Sequence, residues 1–181
     1  MKKLFVVIAL LLLSVVPAMA GNYVKGTLGY YSPDNGNYDG SFNLYGAYGL
    51  DLKKMLNAPA SAEFGIGYTA PSGGGFGYDY SVTIVPVTAT VLFNLPVNVP
   101  NVSFNVGGGL GLYFWSAEVD GPGIIGFNNR YSNDGVDLGL HLQGGADYKL
   151  DKQLSLVGEL KWNTFDYGDG TSLNVGAKYN F

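Results

Sequence analysis

Beyond residue 20 the chain consists of stretches of roughly nine to fifteen residues in which apolar side chains alternate with small or polar ones. Breaks rich in Gly, Asn, Asp and Pro separate them. A period of two predicts β-strands, and eight are read: Tyr23 to Tyr31, Ser41 to Leu50, Ser61 to Thr69, Tyr78 to Phe93, Val102 to Trp115, Val136 to Leu150, Leu154 to Phe165 and Thr171 to Phe181. Many exceed the five or six residues typical of a globular strand and approach the nine to eleven that a tilted strand needs to cross a bilayer. No later stretch holds the roughly 18 uninterrupted apolar residues of a spanning helix.

The two faces of each strand differ in kind. Val24, Leu28 and Tyr30 oppose Lys25 and Thr27; Val136, Leu138, Leu140 and Leu142 oppose Asp137, His141 and Gln143; Leu154, Leu156, Leu160 and Trp162 oppose Ser155, Glu159 and Lys161. The ionisable residues placed inside strands, Lys25, Glu63, Asp79, Asp137, His141, Asp147, Lys149, Glu159, Lys161 and Lys178, all fall on the less apolar face. Two architectures suit this segregation. A soluble barrel or sandwich buries the apolar face, whereas an outer-membrane barrel turns it to lipid and encloses the polar one.

Aromatic placement selects the second. On the apolar faces Tyr30, Phe42, Tyr68, Tyr78, Phe114 and Trp162 fall near one set of strand ends, and Tyr48, Phe64, Phe104, Tyr148, Tyr179 and Phe181 near the other. Two such girdles match two lipid-water boundaries, where Tyr and Trp keep the ring apolar and the polar tip wet. Unpaired backbone groups in hydrocarbon are too costly, so the sheet must close. The expectation is an all-β, eight-stranded, antiparallel up-and-down transmembrane barrel. One strand breaks its rule: Tyr78, Tyr80, Val82 and Ile84 are apolar at even positions, but Val87, Ala89, Val91 and Phe93 at odd ones. A β-bulge near Pro86 is expected, turning both Ile84 and Val87 to lipid.

The first twenty residues carry another pattern: Lys2 and Lys3, then the apolar run Leu4 to Val16, then Ala18-Met19-Ala20. They read as a cleaved secretory signal peptide, leaving 21–181 as a single barrel domain. Without Lys2 and Lys3, 8 basic residues face 14 acidic ones, a net charge of −6. That balance argues against a nucleic-acid partner, which needs a concentrated basic face. The absence of Cys removes disulfide frameworks and thiolate metal sites.

The signal peptide, the run Val85-Pro86-Val87-Thr88, the strand Gly107-Gly108-Gly109-Leu110-Gly111-Leu112-Tyr113, the strand end Gly144-Gly145-Ala146-Asp147-Tyr148 and the terminal Tyr179-Asn180-Phe181 resemble the small outer-membrane β-barrel family of OmpA-type, OmpX-type and opacity-type proteins. The resemblance implies location in the outer membrane, contact with its lipid and lipopolysaccharide, and recognition of Tyr179 and Phe181 by the barrel-assembly machinery. The family contains adhesins, structural anchors, narrow pores and a few lipid-modifying enzymes, so the resemblance leaves the particular role open.

Charges enclosed in a narrow lumen must be paired or hydrated, so Lys25, Glu63, Asp137, Asp147, Glu159, Lys161 and Lys178 are expected to form a salt-bridge plug, with Gln143 and His141 hydrogen-bonded among them. The expected register brings Glu159 near Lys178, with Lys161 on the same face. Inward Gly65, Gly67, Gly107, Gly109, Gly111, Gly139, Gly145 and Gly176 permit sharp curvature or leave a thread of water-filled space. His141 is the only imidazole, and its strand offers no hydroxyl beside it. A lipid-modifying enzyme built on His141 is therefore a rival reading, a narrow passive pore for water or small ions is another, and a secreted ligand-binding barrel a third. The primary expectation is a non-enzymatic barrel with a structural or surface-interaction role and no cofactor. The loop at 116–134 is the best site for a surface partner. The acidic residues of the outer loops are what wet turns contain, with divalent-cation binding as the sharper alternative.

Overall fold

Long alternating strands leave every second side chain without a core partner unless the sheet curls round on itself, and closure is what the computed structural model shows. It describes residues 21–181 apart from 35, 37, 76–77, 122–129 and 167. Residues 1–20, read above as a signal peptide, lie outside the described residues. In chain order the elements are β1 (Tyr23–Pro33), β2 (Ser41–Asp51), α1 (Lys53–Leu56), β3 (Ala60–Thr69), β4 (Ser72–Gly75), β5 (Tyr78–Val99), β6 (Val102–Asp120), β7 (Arg130–Lys149), β8 (Leu154–Thr164) and β9 (Gly170–Asn180). Each strand pairs antiparallel with its sequence neighbour except β3 with β4, β9 returns to β1, and β3 pairs with β5 to close the ring. The short β4 continues the β3 stave beyond Ala70 and Pro71, so nine segments make eight staves.

The closure has a definite stagger. Following partners from Tyr23 through Gly49, Glu63, Thr90, Gly109, His141, Asn163 and Gly170 returns to β1 at Pro33, ten residues further along. Eight strands with that stagger tilt by about 40° from the barrel axis. An 11-residue strand such as β1 then rises about 28 Å, the thickness of a hydrocarbon layer. The exposed large apolar side chains, among them Leu28, Leu44, Ile66, Leu110, Leu142, Leu160 and Val175, form the outer face of this band.

Three expectations are corrected. First, no bulge occurs at Pro86. The β5–β6 register runs unbroken from Asp79 to Leu95, and the irregularity falls between Leu95 and Val99. From Val82 to Leu92 the even positions of β5 face inward without a break in phase: Val82 and Ile84 are 4% exposed, against 38% for Val87. Pro86 shows its missing N–H on the other side, where the β3–β5 pairing skips Gly67 and Tyr68 but keeps its register. A Cβ on Gly67 would lie 3.0 Å from the Pro86 ring, so glycine makes room for it. Second, residues 116–120 and 130–134 are not loop. They are the paired arms of the β6–β7 hairpin, and 122–129 lie outside the described residues. Third, Glu159 pairs with Asn174, and Lys178 lies opposite Ser155. Asp79 is also exposed, at the head of β5, and Lys149 is exposed at the opposite end of β7.

The first and last strands of the barrel begin and end at one rim: Phe181 N–H donates to Asn22 O (2.9 Å). This terminal end carries the connections 52–59, 100–101 and 150–153. In the last of these the Asp151 carboxylate accepts the N–H groups of Leu154 and Gln153, which hold its carboxyl below the usual range. The opposite, loop end is asymmetric. β7 has a β8 partner only from Leu140 onward, so β7, with β6, β5 and β4 paired beside it, rises past β8 by roughly 25 Å.

Candidate functional site in the barrel lumen

Inward side chains fill the lumen in layers. Nearest the terminal end, Lys178 pairs with Asp147, and its Nζ lies 5.0 Å from the centre of the Tyr23 ring. The next layer is ionic. Lys25 Nζ contacts Glu63 Oε1 (2.9 Å) and Glu159, Tyr23 O–H donates to Glu63 Oε2 (3.1 Å), and Gln143 Nε2 donates to Glu159 Oε2 (2.8 Å). Lys161 Nζ approaches Glu159 Oε1 at 3.9 Å and lies over the Tyr45 ring, 3.7 Å from its centre. Two ammonium groups thus face two carboxylates, all buried. Neutrality is what makes enclosure of four charges tolerable.

Above this layer hydrogen bonds take over. His141 Nε2 and Thr90 Oγ1 are 2.7 Å apart, and Tyr45 O–H and Thr88 Oγ1 are 2.6 Å apart. Asn43 Nδ2 donates to Asn174 Oδ1 (2.7 Å), and Tyr113 O–H donates to Asn163 Oδ1 (3.1 Å). The loop-end mouth is then closed by an apolar cluster of Tyr31, Val82, Ile84, Tyr113, Ala117 and Phe165, against which Tyr38 and Trp115 pack. Tyr113 and Phe165 stack with centroids 4.2 Å apart. Among the described residues the lumen includes a void of about 30 Å³ between Lys161 and the apolar cluster and one of about 10 Å³ beside Lys25, Glu63 and Asp147. Each water needs roughly 10–15 Å³ of such space, so the first has room for about two or three molecules and the second for about one.

The inward glycines explain how so much fits. Tyr23, Gly49 and Glu63 are consecutive partners across three staves, as are Thr90, Gly109 and His141, while Tyr45, itself opposite Gly67, leans over Gly65 to reach Thr88. In each row the middle residue has no side chain, so its neighbours meet over it. A Cβ on Gly49 would fall 2.0 Å from the Tyr23 ring, and one on Gly65 1.9 Å from the Tyr45 hydroxyl. At Gly49 and Gly65 the space is therefore taken by neighbouring tyrosine rings and not by a thread of water, whereas at Gly107, Gly109 and Gly176 a carbonyl of the adjoining strand takes it, the close backbone approach that a sharply curved sheet requires. Gly109→Ala, whose Cβ would meet the Ala89 carbonyl at 1.9 Å, is expected to cost about 2 kcal/mol. Gly158→Ala, with nothing within 4 Å, should stay within about 0.5 kcal/mol of the parent. Urea midpoints of the refolded proteins measure both.

The remaining expected residues fall as follows. Lys178 is bound to Asp147 rather than Glu159, because the β8–β9 register places it opposite Ser155. Asp137 lies on β7 six residues before Gln143, nearer the loop end than the ionic layer, and no hydrogen bond joins it to His141 among the described residues. His141 does have a hydroxyl neighbour, Thr90, supplied across Gly109 rather than from its own strand; the inward glycine between β5 and β7 was the available signal. Its Nδ1 is buried without a partner, so no carboxylate orients the ring. Among the described residues no group of three or more His, Asp or Glu is placed to hold a metal ion. Tyr30, Tyr68, Tyr148, Trp162, Tyr179 and Phe181 are exposed on the outer face, and Tyr48 and Phe114 are partly so. Tyr179 and Phe181 meet edge to face at 5.5 Å.

A sequence search among curated proteins found no match. Among solved structures the chain is similar to a major outer membrane protein of Thermus thermophilus (17% identity, 90% of this chain and 100% of that one, TM-score 0.65). It is also similar to Neisserial surface protein A (17%, 90% and 98%, TM-score 0.57) and to the attachment invasion locus protein Ail of Yersinia pestis (16%, 90% and 100%, TM-score 0.56). At such identities the likeness carries the fold alone. The family model described as outer membrane protein beta-barrel domain matches residues 5–181. With a closed eight-stave barrel, an apolar outer band and that match, the chain belongs to the outer membrane protein beta-barrel domain family.

Proposed function

We infer that the protein is a sealed, non-enzymatic barrel of the outer membrane whose work is done at the loop end, as a structural or surface-interaction protein. The observation that carries this reading is the filled lumen: an ionic layer, a hydrogen-bonded layer and an apolar cluster stacked along one axis, with voids of about 30 and 10 Å³ between them. A solute would have to break the Lys25 bridges to Glu63 and Glu159 and then displace Tyr113 and Phe165. The fully buried His141 leaves a lipid substrate no access, which weighs against the enzymatic rival.

The terminal rim is taken as periplasmic, with Tyr179 and Phe181 read by the barrel-assembly machinery. The loop end then faces outward, toward lipopolysaccharide. It carries Asp34, Asp39, Asp79, Glu118, Asp120, Asp134, Asp166 and Asp169 against Arg130. Ail has been solved with the heparin analogue sucrose octasulfate; the acidic loop end here lacks the basic face that a sulfated ligand requires. The hairpin spanning 116–134 is the surface proposed for a partner. In planar bilayers the reconstituted protein is expected to raise no discrete conductance steps. Reproducible steps abolished by an antibody to the barrel would replace this reading with the narrow-pore one.

A further inference from the structure

The connection between β2 and β3 contains the one helical turn among the described residues, and it buries nothing. Lys53, Lys54, Met55 and Leu56 are all exposed, Met55 at 80% and Leu56 at 53%. Its geometry is held by the backbone: Leu52 O accepts the N–H groups of Met55 (3.0 Å) and Leu56 (2.9 Å), and Asp51 Oδ1 accepts that of Lys53 (2.8 Å). A single turn without packing does not sustain itself in water.

Two neighbouring features say what covers it. Asn94 N–H donates to Pro59 O (2.8 Å), which ties this connection to the end of β5, where Phe93, Leu95, Val97 and Val99 are exposed as well. Met55 and Leu56 thereby extend the lipid-facing band at the terminal rim. The charges there have the opposite sign to those of the loop end: Lys53, Lys54, Lys149 and Lys152 outnumber Asp51 and Asp151. We propose that α1 is an interfacial anchor, with Met55 and Leu56 in the acyl-headgroup boundary and the ammonium groups of Lys53 and Lys54 on phospholipid phosphates, preferring anionic headgroups. Adjacent apolar and cationic side chains at one depth are the chemistry such a boundary selects.

The chain has no Cys, so a single Leu56→Cys variant takes one environment-sensitive fluorophore, with Met55→Cys as the second position should the first fail to refold. The folded proteins are placed in phosphatidylcholine vesicles containing phosphatidylglycerol, with the same quencher on the headgroup of either lipid. Blue-shifted emission is expected, together with quenching by labelled phosphatidylglycerol at least about twofold stronger than by labelled phosphatidylcholine. Lys53→Gln with Lys54→Gln, or high salt, should erase the preference while leaving the blue shift. Water-like emission with no quenching would overturn the anchor and leave the turn free for a protein partner. Equal quenching by both lipids would overturn the anionic preference.

Discussion

Lys25→Met is expected to lower the stability of the refolded barrel by about 3 to 5 kcal/mol, the cost of orphaning buried partners. Lys25 is 6% exposed and is the cation shared by Glu63 and Glu159. Its removal leaves two carboxylates in one layer, with only Lys161 nearby and that at 3.9 Å. Adding Glu63→Gln should recover part of the loss, because the amide still accepts from Tyr23 and the remaining Glu159 keeps Lys161 and Gln143. Urea midpoints in detergent micelles decide it. A Lys25→Met midpoint equal to the parent's would mean that water already solvates this layer and that the lumen is not plugged.

Leu28→Arg should cost about 2 to 4 kcal/mol, because Leu28 lies at the centre of β1 with its side chain outward, where a guanidinium meets the middle of the hydrocarbon. Val24→Arg, on the same face but one turn of the pleat from the rim, should cost about 0 to 1 kcal/mol. Refolding into lipid vesicles and measuring both by urea titration tests depth as well as face. Equal penalties at the two positions would contradict the placement of the apolar band.

The strands and their faces were legible because lipid imposes a uniform demand on one side: wherever both sides of a stave matter, as in β1, β7, β8 and β9, alternation is clean. It failed at Val82 and Ile84, where the apolar residues belong to the lumen cluster beneath the loop end, so the same residue type served the other face. Hydrophobicity alone does not distinguish apolar-to-lipid from apolar-to-apolar-cluster. The charged lumen residues were legible individually, but their partners were not. Whether Lys178 meets Glu159 or Asp147 depends on the β8–β9 register, which the loop sequence does not specify and in which a shift of a few residues exchanges one partner for the other. The Thr90–His141 contact was hidden for another reason: it spans two stave boundaries and depends on Gly109 lacking a side chain.

The partition of faces and the filled lumen are tested together by a nitroxide scan of β5, one cysteine at a time from Val82 to Phe93, in reconstituted vesicles. Collision with oxygen reports lipid, and collision with a water-soluble nickel chelate reports aqueous space. Oxygen accessibility should peak at Val87, Ala89, Val91 and Phe93, while Val82, Ile84, Thr88 and Thr90 stay low for both reagents and no break in phase occurs at Pro86. Oxygen maxima at Val82 and Ile84 would restore a bulge and reverse the upper half of the strand, and nickel access at Thr88 and Thr90 would show an open, water-filled lumen.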